Sequence, residues 1–156
     1  MEKIVFDNGI KEYEINNNGV LRFNPSDPNV YARFYDAAEQ IQQIEKDLSA
    51  KGEKLQNEET GDEAATGEAR IRLLQEADKK VKELLGQVFG PGNDFDELLG
   101  GVNLMAVALN GERVVTNLMQ ALLPVIEQGA KKCAEQKVGD AVQKANKNRA
   151  QRRAQQ

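Results

Sequence analysis

The 156-residue sequence contains no histidine, no tryptophan and a single cysteine. Without histidine there can be no Ser–His or Cys–His nucleophile and no imidazole metal ligand. Cys133, being alone, cannot close an internal disulfide or build a multi-thiolate zinc site, a usage that suits a reducing compartment. Aromatic residues make up only 5%, which predicts an aliphatic core. The longest apolar runs, LMAVAL (104–109) and the Pro-interrupted ALLPVI (121–126), fall far short of the ~20 residues needed to span a bilayer. The opening MEKIVFDNG has no apolar stretch of the signal-peptide kind.

The short motifs that carry chemistry are also missing. GPGNDF supplies Gly90 and Gly92, but Phe95 stands where a dinucleotide fingerprint needs its last glycine. No Gly-Lys-Ser/Thr phosphate loop occurs, and NDFDE lacks the glycine and distant glutamate of a calcium loop. The 25 acidic and 21 basic residues read as a solvated surface, so we expect no enzyme, no cofactor and no metal.

What is present is periodicity. KIVF (3–6), IKEYEI (10–15) and VLRF (20–23) alternate as strands, separated by Asp7-Asn8-Gly9 and by NNNG (16–19). Asn-Gly is a strong hairpin signal because both residues tolerate the positive φ of a type I′ turn. These segments predict a three-stranded antiparallel meander over 1–24. Asp27 and Pro28 then form a helix start. Val30, Phe34, Ala37, Ile41, Ile44 and Leu48 recur at heptad spacing up to a stop near Gly52. After an acidic loop, NEETGDEAATG (57–67), a second seam runs through Ile71, Leu74, Asp78, Val81, Leu85 and Val88. An aspartate at a seam position is out of keeping with it. Together, 27–89 predict a long helical hairpin of coiled-coil character.

Pro91 with its flanking glycines breaks the second helix. Asn93 is placed to cap a short helix, 102–111 is open between a short helix and a buried strand with helix favoured by its helical neighbours, and a last helix runs from Glu112 to about Ala145 with a kink at Pro124. The expected architecture is therefore a single α+β, mostly α domain over 1–145. It holds the meander, the hairpin and C-terminal helices over 93–145, four to five helices in all. Residues 146–156 are expected to form a disordered basic tail.

Charge is segregated. Residues 131–156 hold eight cations against two acids, a net +6, leaving −10 for the rest of a chain whose net charge is −4. Cations favour the C-terminal end of a helix, whose dipole they complement. The alternative is a basic arm, including Arg149, Arg152 and Arg153, that docks on an acidic partner. The oppositely charged halves and the heptad seams also suit a homo-oligomer.

The order of features resembles the small tail assembly chaperones of long-tailed bacteriophages (siphophages) and prophages of Gram-positive bacteria. The resemblance rests on the N-terminal strands, GVLRFNPSDPNVYARF (19–34), VFGPGNDFDELLGG (88–101), NGERVVTNLMQALLPVIEQ (110–128) and NRAQRRAQQ (148–156). It implies a protein of the host bacterial cytoplasm, absent from the mature virion. Such a protein self-associates, coats the tape measure protein to keep it soluble, and helps recruit the major tail tube protein. In that family a frameshifted longer form adds a second domain. Membranes and nucleic acid are not among the implied partners. On this reading Leu104, Met105, Leu109, Leu118, Met119 and Leu122 are candidate groove residues for an apolar helix of the partner. Two rivals use the basic tail instead: a nucleic-acid-binding protein and a virion structural piece such as a head–tail connector.

Overall fold

A computed structural model describes residues 1–58 and 63–155, with the backbone alone at 136–142. The chain is mostly helical, with one small sheet among the described residues. Among the described residues, strands β1 (Lys11–Ile15) and β2 (Gly19–Phe23) precede helices α1 (Pro28–Asn57), α2 (Glu63–Phe89), α3 (Phe95–Leu98) and α4 (Val114–Ala154).

The sheet has two antiparallel strands, not three, with Tyr13 opposite Leu21 and Glu12 opposite Arg22. The turn explains the missing strand. A type I′ reversal needs two consecutive residues at positive φ. Asn16 and Asn17 meet that condition, at 47° and 62°, and the Asn18 N–H donates to the Ile15 carbonyl at 2.8 Å. At 8–9 only Gly9 has positive φ. The Asp7 and Asn8 carboxyl and amide oxygens instead accept from the Gly9 and Ile10 N–H groups, while Asn24 Nδ2 donates to the Asn8 carbonyl. Residues 1–10 therefore do not fold back onto β1, and all of them are exposed.

Asp27 caps α1 through the Asn29 N–H. The α1 seam is buried as its spacing predicts at Val30, Phe34, Ala37 and Ile41, with Ile44 and Leu48 packed against the core. The helix passes through Gly52 instead of stopping there. One glycine costs a helix only about 1 kcal/mol, and Lys51, Glu53, Lys54, Leu55 and Gln56 are all good helix formers. Helix α2 returns antiparallel, so that Arg33 Nε donates to the Val88 carbonyl at one end while Ile44 and Leu48 lie beside Leu73 and Ala77 near the other. The acidic connection is shorter than 57–67, and residues 59–62 of it lie outside the described residues. Gly86 and Gly67, within α2, have open space where a side chain would project. Replacing either by alanine should raise stability by about 0.5–1 kcal/mol, measurable by urea denaturation.

The core is partly aromatic despite the composition. Phe23, Phe34, Phe89 and Phe95 are all buried. The Phe23 ring stacks with Tyr13 at 5.2 Å and meets Phe89 edge-on at 4.7 Å, tying the sheet to the end of α2.

Residues 102–111 form an irregular loop, not a helix. The Asn103 side chain accepts from the Met105 N–H, and Val107 bridges Arg113. The carbonyls of Leu104 and Ala106 accept from the Val115 and Val114 N–H groups. The loop thus supplies the N-terminal cap that α4 lacks in its own side chains. Helix α4 contains Pro124 and continues to Ala154, into the segment 146–156 expected to be disordered, of which residue 156 lies outside the described residues. Its Ala, Gln, Lys and Arg residues are strong helix formers, and Arg152 and Arg153 oppose the negative end of the dipole.

Candidate apolar groove between the sheet and helix α4

The inward face of the sheet and the first half of α4 do not close on each other. Tyr13, Ile15 and Phe23 form one wall, and Val114, Leu118, Ala121, Leu122 and Val125 form the other. Leu99 lies between them, with Val102, Ala108 and Leu109 on the loop at the rim. The resulting groove has a volume of about 880 Å³. Among the described residues its titratable lining groups are Tyr13 and Glu14, and its amides, Asn16, Asn18 and Asn117, complete the lining. Burial pushes the Tyr13 phenol above its ordinary value, so it stays neutral. Such a surface offers adhesion to an apolar segment and no convergent acid–base pair.

The candidate groove residues separate into two sets. Leu109, Leu118 and Leu122 line the groove, Leu109 fully exposed at its rim and Leu122 only 6% exposed in its floor. Leu104 and Met105 lie inside the core, 0% and 2% exposed. They are buried because the loop turns inward there to cap α4. Met119 is half-buried against the core and is not part of the lining. Arg149, Arg152 and Arg153 are exposed near the end of α4. With Lys144 and Lys147 they wind around that helix at about 100° per residue and make no single stripe.

Sequence reasoning did not find the sheet's contribution, Tyr13, Ile15 and Phe23. Their period-two pattern announced a buried face, and nothing local revealed that α4 covers that face incompletely.

Two interactions hold the rim. Asn103 Nδ2 donates to the Leu74 carbonyl at 3.2 Å, and the Leu104 N–H donates to Asp78 Oδ1 at 2.7 Å. The other Asp78 oxygen pairs with Lys82 Nζ at 2.9 Å, and Lys82 also meets Asp96 at 2.6 Å. The seam aspartate thus points at the loop, while Ala77, Val81, Leu85 and Val88 fill the buried stripe of α2. Burial alone would lower the Lys82 ammonium. The hydrogen bonds and charges of Asp96 and Asp78 outweigh it, and its pKa lies above the ordinary lysine value.

The two sheet edges differ. On β2, the Arg22 N–H donates to Asn93 Oδ1 and the Arg22 carbonyl accepts from Asn93 Nδ2, both at 2.9 Å. Arg22 therefore turns its backbone groups away from β1, and its partner Glu12 does the same on the other side. Among the described residues nothing pairs with that outer side of β1.

Among the described residues there is no cluster of three acidic or cysteine side chains fit for a metal, and no helix is long and apolar enough to cross a membrane. Compared with known families, curated proteins and solved structures, the chain matches none.

Proposed function

We propose that this chain is a tail assembly chaperone of a long-tailed phage or prophage. It shields apolar helical segments of the tape measure protein and hands them over to tube subunits. The observation that supports this reading is the open groove beside α4, which is apolar along both walls, the kind of surface on which an amphipathic helix lays its apolar face. A shield needs adhesion of modest strength repeated over many copies, so that copies can be stripped one at a time. Two walls of aliphatic and aromatic side chains, with amides at the margin, provide that.

Co-expression with tape measure fragments tests the reading. The wild-type chain should raise fragment solubility and co-purify with it. Leu109→Asp together with Leu118→Asp should abolish capture. Each leucine buried on binding is worth about 1.5 kcal/mol or more, so the pair should weaken binding by about a hundredfold or more. The circular dichroism of the double variant should stay helical, because Leu109 is wholly exposed and Leu118 only half-buried. Undiminished capture by a folded double variant would refute this use of the groove.

A further inference from the structure

The N-terminal arm is the most exposed apolar segment of the described chain. Ile4, Val5 and Phe6 are 91%, 89% and 75% exposed, and Met1 and Ile10 are also open to solvent. Isolated surface leucines need no explanation, but a contiguous Ile-Val-Phe run left open to solvent does. The arm does not take the obvious intramolecular place beside β1: the Asp7 and Asn8 side-chain oxygens accept from the Gly9 and Ile10 N–H groups, Asn24 Nδ2 holds the Asn8 carbonyl, and of the Asn8-Gly9 pair only Gly9 has the positive φ that a type I′ reversal needs at both residues.

The same molecule carries the complementary feature. Among the described residues the outer edge of β1 is unpaired, whereas Asn93 bonds the backbone of Arg22 on the edge of β2. The groove reaches that edge, since it is bordered by the consecutive residues Tyr13, Glu14, Ile15 and Asn16.

We propose that residues 3–6 of one copy add as a strand to the outer edge of β1 in a second copy. Side chains alternate along a strand. Ile4 and Phe6 enter the groove beside Tyr13 and Ile15, and Lys3 and Val5 fall on the opposite face. That opposite face carries Glu12 and Glu14. Lys3 thus meets acidic neighbours across the strands, a favourable cross-strand pairing. The arm gains backbone hydrogen bonds from the edge and burial from the groove, the two halves of recognition by strand addition. The occupant is another copy because one chain supplies both the unplaced apolar arm and the apolar edge with matching charge. The proposal does not depend on the identity of any client, and it is tested on the lone protein.

Sedimentation equilibrium of the full chain should show concentration-dependent association. Ile4→Ser with Phe6→Ser removes the arm's apolar side chains at exposed positions, where folding is untouched. It should weaken association by about a hundredfold. Leu118→Asp should do the same from the groove side, with the fully exposed Leu109→Asp as a second groove variant that cannot disturb the core. The decisive measurement mixes the arm variant with a groove variant. Each should be monomeric alone, and together they should form a one-to-one heterodimer, the intact arm of one in the intact groove of the other. A wild-type chain that stays monomeric, an arm variant of unchanged mass, or a mixture that fails to associate would each overturn the proposal. Loss of client capture with self-association retained would count against the chaperone reading alone.

Discussion

Gly129→Ala should be among the most damaging single substitutions in this chain. Gly129 lies inside α4, where α4 crosses the turn before α1, and an added Cβ would overlap the Pro25 carbonyl oxygen. That oxygen is fixed by more than its backbone. It accepts from the Tyr31 hydroxyl at 3.0 Å, and Tyr31 is itself half-buried, with its phenol raised by burial and by the neighbouring Cys133 and Asp27. The obstacle is main chain, so no rotamer change relieves it. Overpacking costs about 1–3 kcal/mol where side chains can yield, and here the upper end or more is expected. For a domain of this size that amounts to about 10 °C in melting temperature. Gly86→Ala is the internal control: the same chemical change in a neighbouring helix should move stability the other way. A Gly129→Ala protein that melts with the wild type would show that α4 does not press on Pro25 in solution. Where the variant still folds, its α4 must shift away from the sheet side, and the groove should lose affinity for any apolar peptide.

The second large effect is expected at Asp78. Asp78→Ala removes the acceptor of the Leu104 N–H and leaves the Lys82 ammonium, 11% exposed, with Asp96 alone. An unpaired amide and a half-paired cation together should cost about 2–4 kcal/mol. Asp78→Asn keeps an oxygen for Leu104 but loses the charge, and should cost about half as much. The pH dependence separates the two contributions. The folded-state pKa of Lys82 is raised, so the stability it adds is fully present below the ordinary lysine value. It disappears as the pH climbs through the raised one. Denaturation midpoints measured across the alkaline range should fall in the wild type, and fall less in Asp78→Ala. Equal alkaline slopes would remove the ion pair from the account.

Asp78 also shows how far the sequence could be read. Its place in the heptad marked it as anomalous, and in the fold it belongs to a partly exposed polar cluster with Lys82, Asp96 and the Leu104 N–H instead of a seam. The α1 stripe was legible throughout because it packs against a continuous partner, so spacing alone determines burial. Gly52 misled because propensity argues for a stop that five neighbouring helix formers override. Asn8-Gly9 and Asn16-Asn17 looked alike as turn signals. Only the second adopts paired positive φ, because Asn24 and the local side chains claim the first. Loop 102–111 has helix-forming residues, yet its carbonyls serve the start of α4, a demand set by tertiary structure. The groove was half legible. Its α4 wall follows from apolar spacing, but the facing sheet and the gap between them depend on where a distant helix comes to rest.

The Asn93 amide that bonds both backbone groups of Arg22 bears on what the protein avoids becoming. A ribbon with two bare margins can be lengthened from either side without limit, which is the route to fibrils. Here one margin is stoppered by a side chain that mimics a neighbouring strand. At Arg22 a neighbouring strand would have to displace Asn93 before it could pair, so a growing layer meets an obstacle on this border that it does not meet on the other.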